Sequence, residues 1–291
     1  MAKRRPPTIH GLAIVDKPAG VTSHDVVNQL RKHLGERRIG HAGTLDPDAT
    51  GILLVGVGYV TRLLQFLSGL DKTYTGEVVL GTETNTLDSS GTVTAIHDMR
   101  NVTLQQVCDA ARQLTGEILQ VPPMVSALKI GGKRLHELAR AGIEVERKAR
   151  PVTVYSFAVT ATADPLVIGI TVRCSSGTYV RTLAADIGCL LGGGAHLRNL
   201  RRVAVGTFDE SQARSPADVQ LLPAVTAVRD FTQVIVDNVT SGQVRNGRVL
   251  EAWSGNAPWV LIDEQGALLA VYEPFGDGLA KPIVVLAEAI A

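Results

Sequence analysis

The sequence predicts an α/β protein with a mixed, largely antiparallel sheet flanked by helices and loops, followed by a small β-rich domain. Strand patterns at 74–80, 152–161 and 166–174 mix with helical stretches, without the regular order of βαβ repeats. Towards the C-terminal end the composition turns acidic, and short apolar runs are separated by Ser-Gly, Asn-Gly and Gln-Gly pairs. We therefore expect a large domain over residues 1–230 and a second domain over residues 231–291.

Periodic apolar residues and capping signals define the helices. Residues 103–115 make the clearest one, because Thr103 and Gln106 form a capping box and Gly116 ends the pattern. The remaining elements are expected to be a strand at 9–15, a helix from about Ser23, a strand at 52–57, a helix at 61–70 and a helix from about Thr178.

The segment from Arg38 to Gly51, RIGHAGTLDPDATG, follows neither the helical nor the strand period. Its glycines, proline and small polar residues predict an irregular loop. Loops held between well-patterned elements are where chemistry concentrates. Asp46 stands directly before a proline here, and Asp48 follows two residues later. Asp-Pro pairs are common in turns, so this pair alone does not define a reaction. The loop is therefore a candidate site without an assigned chemistry.

The bulk composition is that of an ordinary globular protein, with 291 residues of which 45% are hydrophobic and 20% charged. No apolar run reaches the roughly 18 residues of a membrane-spanning helix, and the basic N-terminus has no apolar stretch typical of a signal peptide. We expect a cytoplasmic protein. The three cysteines are scattered and the seven histidines form no pair at metal-ligand spacing, so we expect no metal and no cofactor.

The net charge of +1 hides an uneven distribution. Residues 232–291 carry three basic side chains against seven acidic ones, which leaves 26 basic against 21 acidic in the rest of the chain. Residues 1–40 contribute eight basic against three acidic side chains, and residues 129–150 contribute seven against three. Two concentrated basic segments are typical of phosphate-binding surfaces, although solvated loops would look the same.

Two further features need an explanation. Residues 122–150 form a long basic excursion with one short helix near Arg134 to Arg140, and excursions of this length in compact domains are usually functional. Arg181 lies in the first turn of a predicted helix, where the helix dipole favours acidic side chains. A solvated surface arginine is one explanation, and a nearby buried carboxylate is the other.

The string RIGHAGTLDPDATGILLVGVG closely resembles the catalytic motif of the TruB-type pseudouridine synthases, which make pseudouridine at position 55 of tRNA. Five more segments agree in the order that this family requires: GLAIVDKPAGVTSHDVV, DKTYTGEVVLGTETNTLDSSG, PPMVSALKIGGKRLHELAR, SSGTYVRTLAADIG and GAHLRNLRRVAVGTF. The resemblance covers roughly residues 9–210 and weakens over 232–291, where the family carries a small PUA-like domain. It implies the pseudouridine synthase fold and the isomerisation of one T-loop uridine, by base flipping and exchange of a C–N for a C–C glycosidic bond.

The resemblance also implies site roles. Asp46 would be the catalytic carboxylate, which attacks the ribose C1′ or the pyrimidine, or assists formation of a glycal. Arg181 would pair with Asp46, favour its ionised form and depress its pKa. Tyr74 and Tyr179 would contact the extruded uracil, with a phenol also available as a hydrogen-bonding or proton-accepting group in catalysis. His41 would occupy the space of the displaced base.

The same resemblance implies an RNA-binding thumb at about 123–150 and a uracil pocket lined by Leu200. The partner would be the T arm of tRNA, recognised mainly through its shape, with no membrane and no obligate protein partner. The chain would act as a monomer. Phosphate contacts of the thumb are expected from its basic side chains: Lys133, Arg134, Lys148 and Arg150.

The chain departs from the family pattern at Val125 and His136, where the thumb usually has aromatic residues, and at Arg62, where Lys is usual. One alternative is a non-catalytic RNA-binding or tRNA-folding chaperone on the same scaffold, which would not need a buried acid. Another is a phosphate-transferring enzyme, for which the sequence has no GxxxxGK[ST] motif.

Overall fold

The computed structural model describes nearly the whole chain. No helix in its described part is long and apolar enough to cross a membrane. The described residues are 6–126, 128–130, 132–135, 138, 142–143 and 145–290.

A mixed sheet forms the body of the N-terminal region, as predicted. The strands up to residue 209 are β1 (Gly11–Lys17), β2 (Ile39–Ala42), β3 (Thr50–Val57), β4 (Lys72–Leu80), β5 (Thr82–Thr84), β6 (Val93–Ile96), β7 (Gly116–Gln120), β8 (Lys129–Ile130), β9 (Lys133–Arg134), β10 (Arg150–Ala161), β11 (Val167–Cys174), β12 (Ala195–Val205) and β13 (Phe208–Asp209). The main order is β1-β3-β12-β4-β11-β10-β7, with β2 on β3 and β13 on β12. Its pairs are antiparallel except β3 with β12.

Helices pack against this sheet and bury its apolar side chains. The described helices are α1 (Ser23–Leu34), α2 (Leu64–Ser68), α3 (Leu104–Gln113), α4 (Val180–Leu190) and α5 (Asn238–Arg245). Side chains of α3 and α4 share one core cluster with β4 and β11, and α1 shares another with β1 and β3. The predicted capping box of Thr103 and Gln106 is confirmed. A second one, between Thr22 and Asp25, starts α1.

Two local predictions were wrong. The helix expected at 61–70 is a 3-10 turn at Gly58–Arg62 followed by the short α2, with Leu63 between them as the C-cap of the first and the N-cap of the second. The loop expected from Arg38 to Gly51 begins with a strand, β2, which pairs with β3 and buries Ile39 and Ala42. Four residues are too few for a strand period to appear in the sequence.

Strand β3 has two partners along one edge, and this arrangement positions the candidate site. Its C-terminal half pairs with β2, whereas its first residues, Thr50 and Gly51, pair in parallel with Arg201 and Arg202 of β12. Residues 43–49 leave the sheet between these two partners. A Cβ on Gly51, whose φ is +99°, would lie 2.2 Å from the carbonyl oxygen of Arg202, so a glycine is needed where the strands meet.

The predicted thumb contains a short hairpin, in which β8 pairs with β9. Of the helix expected near Arg134 to Arg140, residues 136, 137, 139 and 140 lie outside the described part. Leu135 and Leu138 are helical, and Arg134 itself belongs to β9.

The C-terminal region forms the β-rich unit that the turn pattern predicted. Its strands are β14 (Thr232–Ile235), β15 (Leu250–Glu251), β16 (Trp259–Ile262), β17 (Leu268–Pro274) and β18 (Leu279–Ile290), in the order β14-β16-β17-β18-β15. One core cluster lies within this sheet. However, Val260, Val271 and Leu286 pack in the same cluster as Leu12 and Ile52 of the N-terminal sheet. The two regions therefore share a continuous core, and the boundary at residue 231 stays a prediction.

Candidate active site

The loop of residues 43–49, called here the Asp46 loop, is held by buried polar side chains from three elements. The bonds run from Arg202 Nη2 to the Gly43 carbonyl (3.0 Å), from the Leu45 amide to Ser23 Oγ (2.9 Å) and from Lys17 Nζ to the Pro47 carbonyl (2.8 Å). These donors and acceptors belong to β12, α1 and β1. The backbone on both sides of Asp46 is therefore fixed by distant parts of the fold.

Arg181 pairs with Asp46, as the resemblance implied. Its Nε lies 3.0 Å from Asp46 Oδ2, and its Nη1 lies 3.5 Å from Asp88 Oδ2. The same guanidinium donates to the carbonyls of Thr86 and Val125, each at 2.8 Å. Only 4% of the Arg181 side chain is exposed, so a buried cation holds two carboxylates that are themselves partly exposed.

This arrangement accounts for an arginine in the first turn of α4. The helix dipole disfavours a cation there by only about 0.3–1 kcal/mol, whereas an unpaired buried carboxylate would cost far more. The nearby carboxylate that would explain Arg181 is therefore present, although Asp46 is partly exposed rather than buried, and the solvated-arginine explanation is wrong.

The expected depression of the Asp46 pKa was wrong. Burial raises the pKa of this carboxyl above its ordinary value, the neighbouring Arg181 opposes the rise, and Asp88 adds to it. The Asp46 side chain is nevertheless 42% exposed, because it faces an open cleft. Desolvation by the surrounding walls therefore outweighs the ion pair, and Asp46 binds a proton more tightly than an ordinary aspartate does.

Beside Asp46, a cleft of about 280 Å³ opens between the Asp46 loop and the start of α4. This volume is near the lower end of the range for ligand pockets, about 300–1,000 Å³. Its walls include Asp46, Tyr74, Tyr179, Arg181 and Leu200, so five of the predicted site residues come together here.

Tyr74 faces this cleft from β4. Burial raises the pKa of its phenol, while the nearby positive charge of Arg202 opposes the rise. The phenol is therefore neutral at physiological pH and available as a hydrogen-bond donor. On the opposite wall, Gln120 fixes the backbone of Tyr179, accepting from its amide at 2.7 Å and donating to its carbonyl at 3.1 Å.

His41 lies in β2 and does not line the cleft. It is partly buried, and its Nδ1 has no hydrogen-bond partner among the described residues. Burial lowers the pKa of this imidazole, and nearby Arg202 and His24 lower it further. His41 is therefore a neutral ring at the edge of the site.

The basic residues predicted to bind RNA lie along the thumb. Lys148 and Arg150 are exposed, and Arg150 opens β10. Lys133 and Arg134 form β9, and their side chains lie outside the described part. Their contacts with RNA stay a prediction.

Four functional side chains escaped the sequence reasoning. Asp88 shares Arg181 with Asp46, and Lys17 anchors the Asp46 loop. Burial lowers the pKa of the Lys17 ammonium to about 8, opposed by Asp48 and Asp46. Lys72 and Arg202 line the cleft. The sequence signal for all four was their place in the segments that resemble the family motifs: VDKPAG, LDSSG, DKTYTG and HLRNLRR.

The fold and the cleft define an enzyme built around one carboxylate, held by an arginine and faced by a phenol. Comparison with known proteins identifies the family. Residues 31–180 match the TruB family pseudouridylate synthase N-terminal domain, and residues 181–230 match the tRNA pseudouridylate synthase B C-terminal domain.

Bacterial relatives named tRNA pseudouridine synthase B align over nearly the full length. The protein of Rhodococcus jostii is 44% identical over 285 residues, covering 94% of this chain and 93% of its own. That of Arthrobacter sp. is 40% identical over 300 residues, covering 96% and 97%. The chain therefore belongs to the TruB family of pseudouridine synthases, and the resemblance drawn from its motifs is confirmed.

Solved structures show the same fold. A chain of a Cbf5-Nop10-Gar1 complex superposes with a TM-score of 0.71 at 24% identity, covering 96% of this chain and 84% of that one. A chain of an H/ACA RNP bound to a substrate RNA containing 2′-deoxyuridine superposes with a TM-score of 0.69 at 22% identity, covering 96% and 84%. The predicted fold class, a pseudouridine synthase fold with a β-rich C-terminal region, is confirmed.

Proposed function

We propose that this chain converts uridine to pseudouridine at position 55 in the T loop of tRNA, with Asp46 as the reacting carboxylate. Conversion of uridine to pseudouridine in tRNA follows from membership of the TruB family, whose relatives carry that activity in their names. The observation that carries the role of Asp46 is its ion pair with the buried Arg181 at the wall of a cleft faced by Tyr74.

The reaction exchanges one bond for another without a change of redox state. The C1′–N1 bond of the nucleotide breaks, the uracil turns, and a C1′–C5 bond forms while C5 gives up its proton. Asp46 attacks the sugar or the ring, or takes the C2′ proton to form a glycal. Arg181 holds the carboxylate in place, and the walls around Tyr74 and Leu200 detain the free base.

A uridine stacked in a T loop has to be extruded before Asp46 can reach it. Unstacking costs a few kcal/mol, which contacts to the RNA backbone have to offset. We assign these contacts to the thumb and the basic N-terminal segment, because there the positive charge is concentrated. The substrate is the T arm, and the chain acts as a cytoplasmic monomer without an obligate protein partner. Residues 231–291 form its PUA-like domain.

Asp46→Asn tests this proposal, with Asp48→Asn as the matched control two residues away on the exposed part of the same loop. Tritium release from a uracil-C5-labelled tRNA transcript reports isomerisation, and filter binding reports affinity. We expect Asp46→Asn to bind tRNA and release no tritium, while Asp48→Asn stays active. An active Asp46→Asn enzyme refutes the role of Asp46. A wild-type chain that binds tRNA without releasing tritium is an RNA-binding or tRNA-folding chaperone instead.

A further inference from the structure

Two buried cations at the cleft form no ion pair with a carboxylate of the described residues. Lys72 is 6% exposed and Arg202 is 1% exposed. Lys72 Nζ donates to the carbonyls of Ser68 and Leu70, and no carboxylate within 4.0 Å of either cation appears among the described residues. Burying a charge without a counter-ion is costly, so a negative charge that develops beside these groups would be stabilised by them.

Both cations lie beneath the same part of the cleft, beside Tyr74. A Cβ added to Gly43 would lie 3.3 Å from Arg202 Nη1 and 3.7 Å from Lys72 Cε, so the two side chains converge under the first residue of the Asp46 loop. The positive charge of Arg202 also acts on Tyr74, because it lowers the pKa of that phenol against the effect of burial. Arg181, by contrast, lies against Asp46 and Asp88 and is already neutralised.

The reaction moves one negative charge across this cleft. If Asp46 attacks C1′, it becomes a neutral ester, and both electrons of the C1′–N1 bond leave with uracil, which departs as a monoanion. If Asp46 takes the C2′ proton to form a glycal, it becomes a neutral acid and uracil again takes the electron pair. If Asp46 adds to the ring, the charge passes to the ring oxygens. In each route the charge leaves Asp46, beside Arg181, and appears on the uracil.

We propose that Lys72, with Arg202 behind it, stabilises the negative charge that develops on the uracil ring as the C1′–N1 bond breaks. Preorganised charges aimed at the site where charge develops are often the largest single contribution to catalysis. This inference rests on the proposed function. It identifies Lys72 as the cation on the side of the cleft that binds uracil. Burial lowers the pKa of Lys72 to about 8, so the ammonium is still charged at neutral pH.

A structural role for Lys72 is visible in the same contacts, because its two carbonyl partners lie at the C-terminal end of α2. The test has to separate these roles. Lys72→Gln keeps two N–H donors for the carbonyls and removes the charge, whereas Lys72→Arg keeps the charge. Lys281→Met, on the surface of the C-terminal sheet, controls for the loss of one positive charge.

The experiment compares two T-arm hairpins, one with uridine and one with 5-fluorouridine at the target position, below neutral pH and in single turnover. Fluorine withdraws electrons, so fluorouracil is the better leaving anion and depends less on a stabilising cation. Fluorine at C5 prevents the loss of a C5 proton but leaves cleavage of the C1′–N1 bond possible. For both substrates, the measurement is therefore the disappearance of the N-glycoside after nuclease digestion.

We expect Lys72→Gln to slow uridine cleavage on the order of a hundredfold, as removal of a transition-state donor does, and to slow fluorouridine cleavage about tenfold less. Lys72→Arg and Lys281→Met should keep the wild-type ratio between the substrates. An equal loss on both substrates, or no loss, overturns the inference. If Lys72→Gln fails to fold, an altered substrate ratio in Lys72→Arg overturns it, and an unaltered ratio supports it. A wild-type chain inactive on uridine refutes the proposed function instead.

Discussion

The ammonium of Lys17 donates a 2.8 Å hydrogen bond to the carbonyl of Pro47, thirty residues further along the chain. Its two other bonds go to the carbonyls of Pro18 and Val21, in the turn that follows β1. One buried cation therefore ties the first turn of the protein to the residue that follows Asp46.

Lys17→Met should loosen this connection. It leaves three carbonyls without their donor, so the free energy of unfolding should fall by about 1–3 kcal/mol, and turnover should fall because the Asp46 loop is less well positioned. Denaturant unfolding and single-turnover pseudouridine formation measure the two effects. Lys32→Met, on the exposed side of α1, is the control. Full activity in a folded Lys17→Met chain would show that the loop does not need this anchor.

Arg181→Met and Asp88→Asn should slow the reaction to different degrees. The first removes the cation that holds Asp46, and the rate should fall on the order of a hundredfold or more. The second leaves the contacts of Arg181 with Asp46, Thr86 and Val125, so we expect a loss of about tenfold. Arg100→Met, in an exposed ion pair with Asp98, should change little. A larger loss in Asp88→Asn than in Arg181→Met would contradict this ranking.

The acid side of the pH–rate profile should report Asp46. The proposed reaction uses the carboxylate form of Asp46, so activity should be present above its pKa and lost as the pH falls through it. Because burial raises this pKa, the loss should occur above the pH range of an ordinary Asp. Asp88→Asn removes a neighbouring negative charge and should move the loss to lower pH. Single-turnover rates at constant ionic strength measure this, and an unmoved acid limb would refute the coupling of the two carboxylates.

Neutralising the thumb should weaken binding and flatten its salt dependence. Each lost phosphate contact lowers the slope of log affinity against log salt by about 0.7–0.9. The variant replaces the four predicted side chains with glutamine: Lys133, Arg134, Lys148 and Arg150. The control neutralises the three basic residues of the acidic C-terminal region: Arg245, Arg248 and Lys281. An equal change of slope in both variants would show that the thumb is not the specific RNA contact.

Truncation after residue 230 should destabilise the remaining chain, although the turn-rich pattern alone suggests a separately folded unit. The cut removes Val260, Val271 and Leu286 from the core that also contains Leu12 and Ile52. Three buried aliphatic side chains correspond to roughly 5 kcal/mol or more of lost stability. Denaturant unfolding of both chains, with activity on the T-arm hairpin, measures this. An unchanged midpoint would show that the shared core is not needed for the N-terminal fold.

The long elements of the fold could be predicted from the sequence because their patterns are repeated several times. Strand β11 buries Ile168, Ile170, Val172 and Cys174 on one face, as the alternation indicated. Strand β2 could not be predicted, because its four residues are strand-forming only through their pairing with β3.

The site divides in the same way. Asp46, Tyr74 and Arg181 could be named from motifs that lie in continuous segments. The role of Asp88 could not be predicted, because Asp88 and Arg181 are far apart in sequence. The sheet brings them into contact. The sign of the Asp46 pKa shift was also inaccessible, since it depends on how closely the cleft walls surround the carboxylate.

The junction of β3 with β12 has a consequence for synthesis of the protein. The Gly43 carbonyl and the Arg202 guanidinium that binds it are 159 positions apart. A ribosome therefore releases the Asp46 loop long before Arg202, and Arg181 also emerges late. Until then the nascent chain carries Asp46 without Arg181 and without the contact of Arg202 with Gly43, although Lys17 and Ser23 have already been made. The complete site can therefore assemble only after residue 202 of 291 has been synthesised.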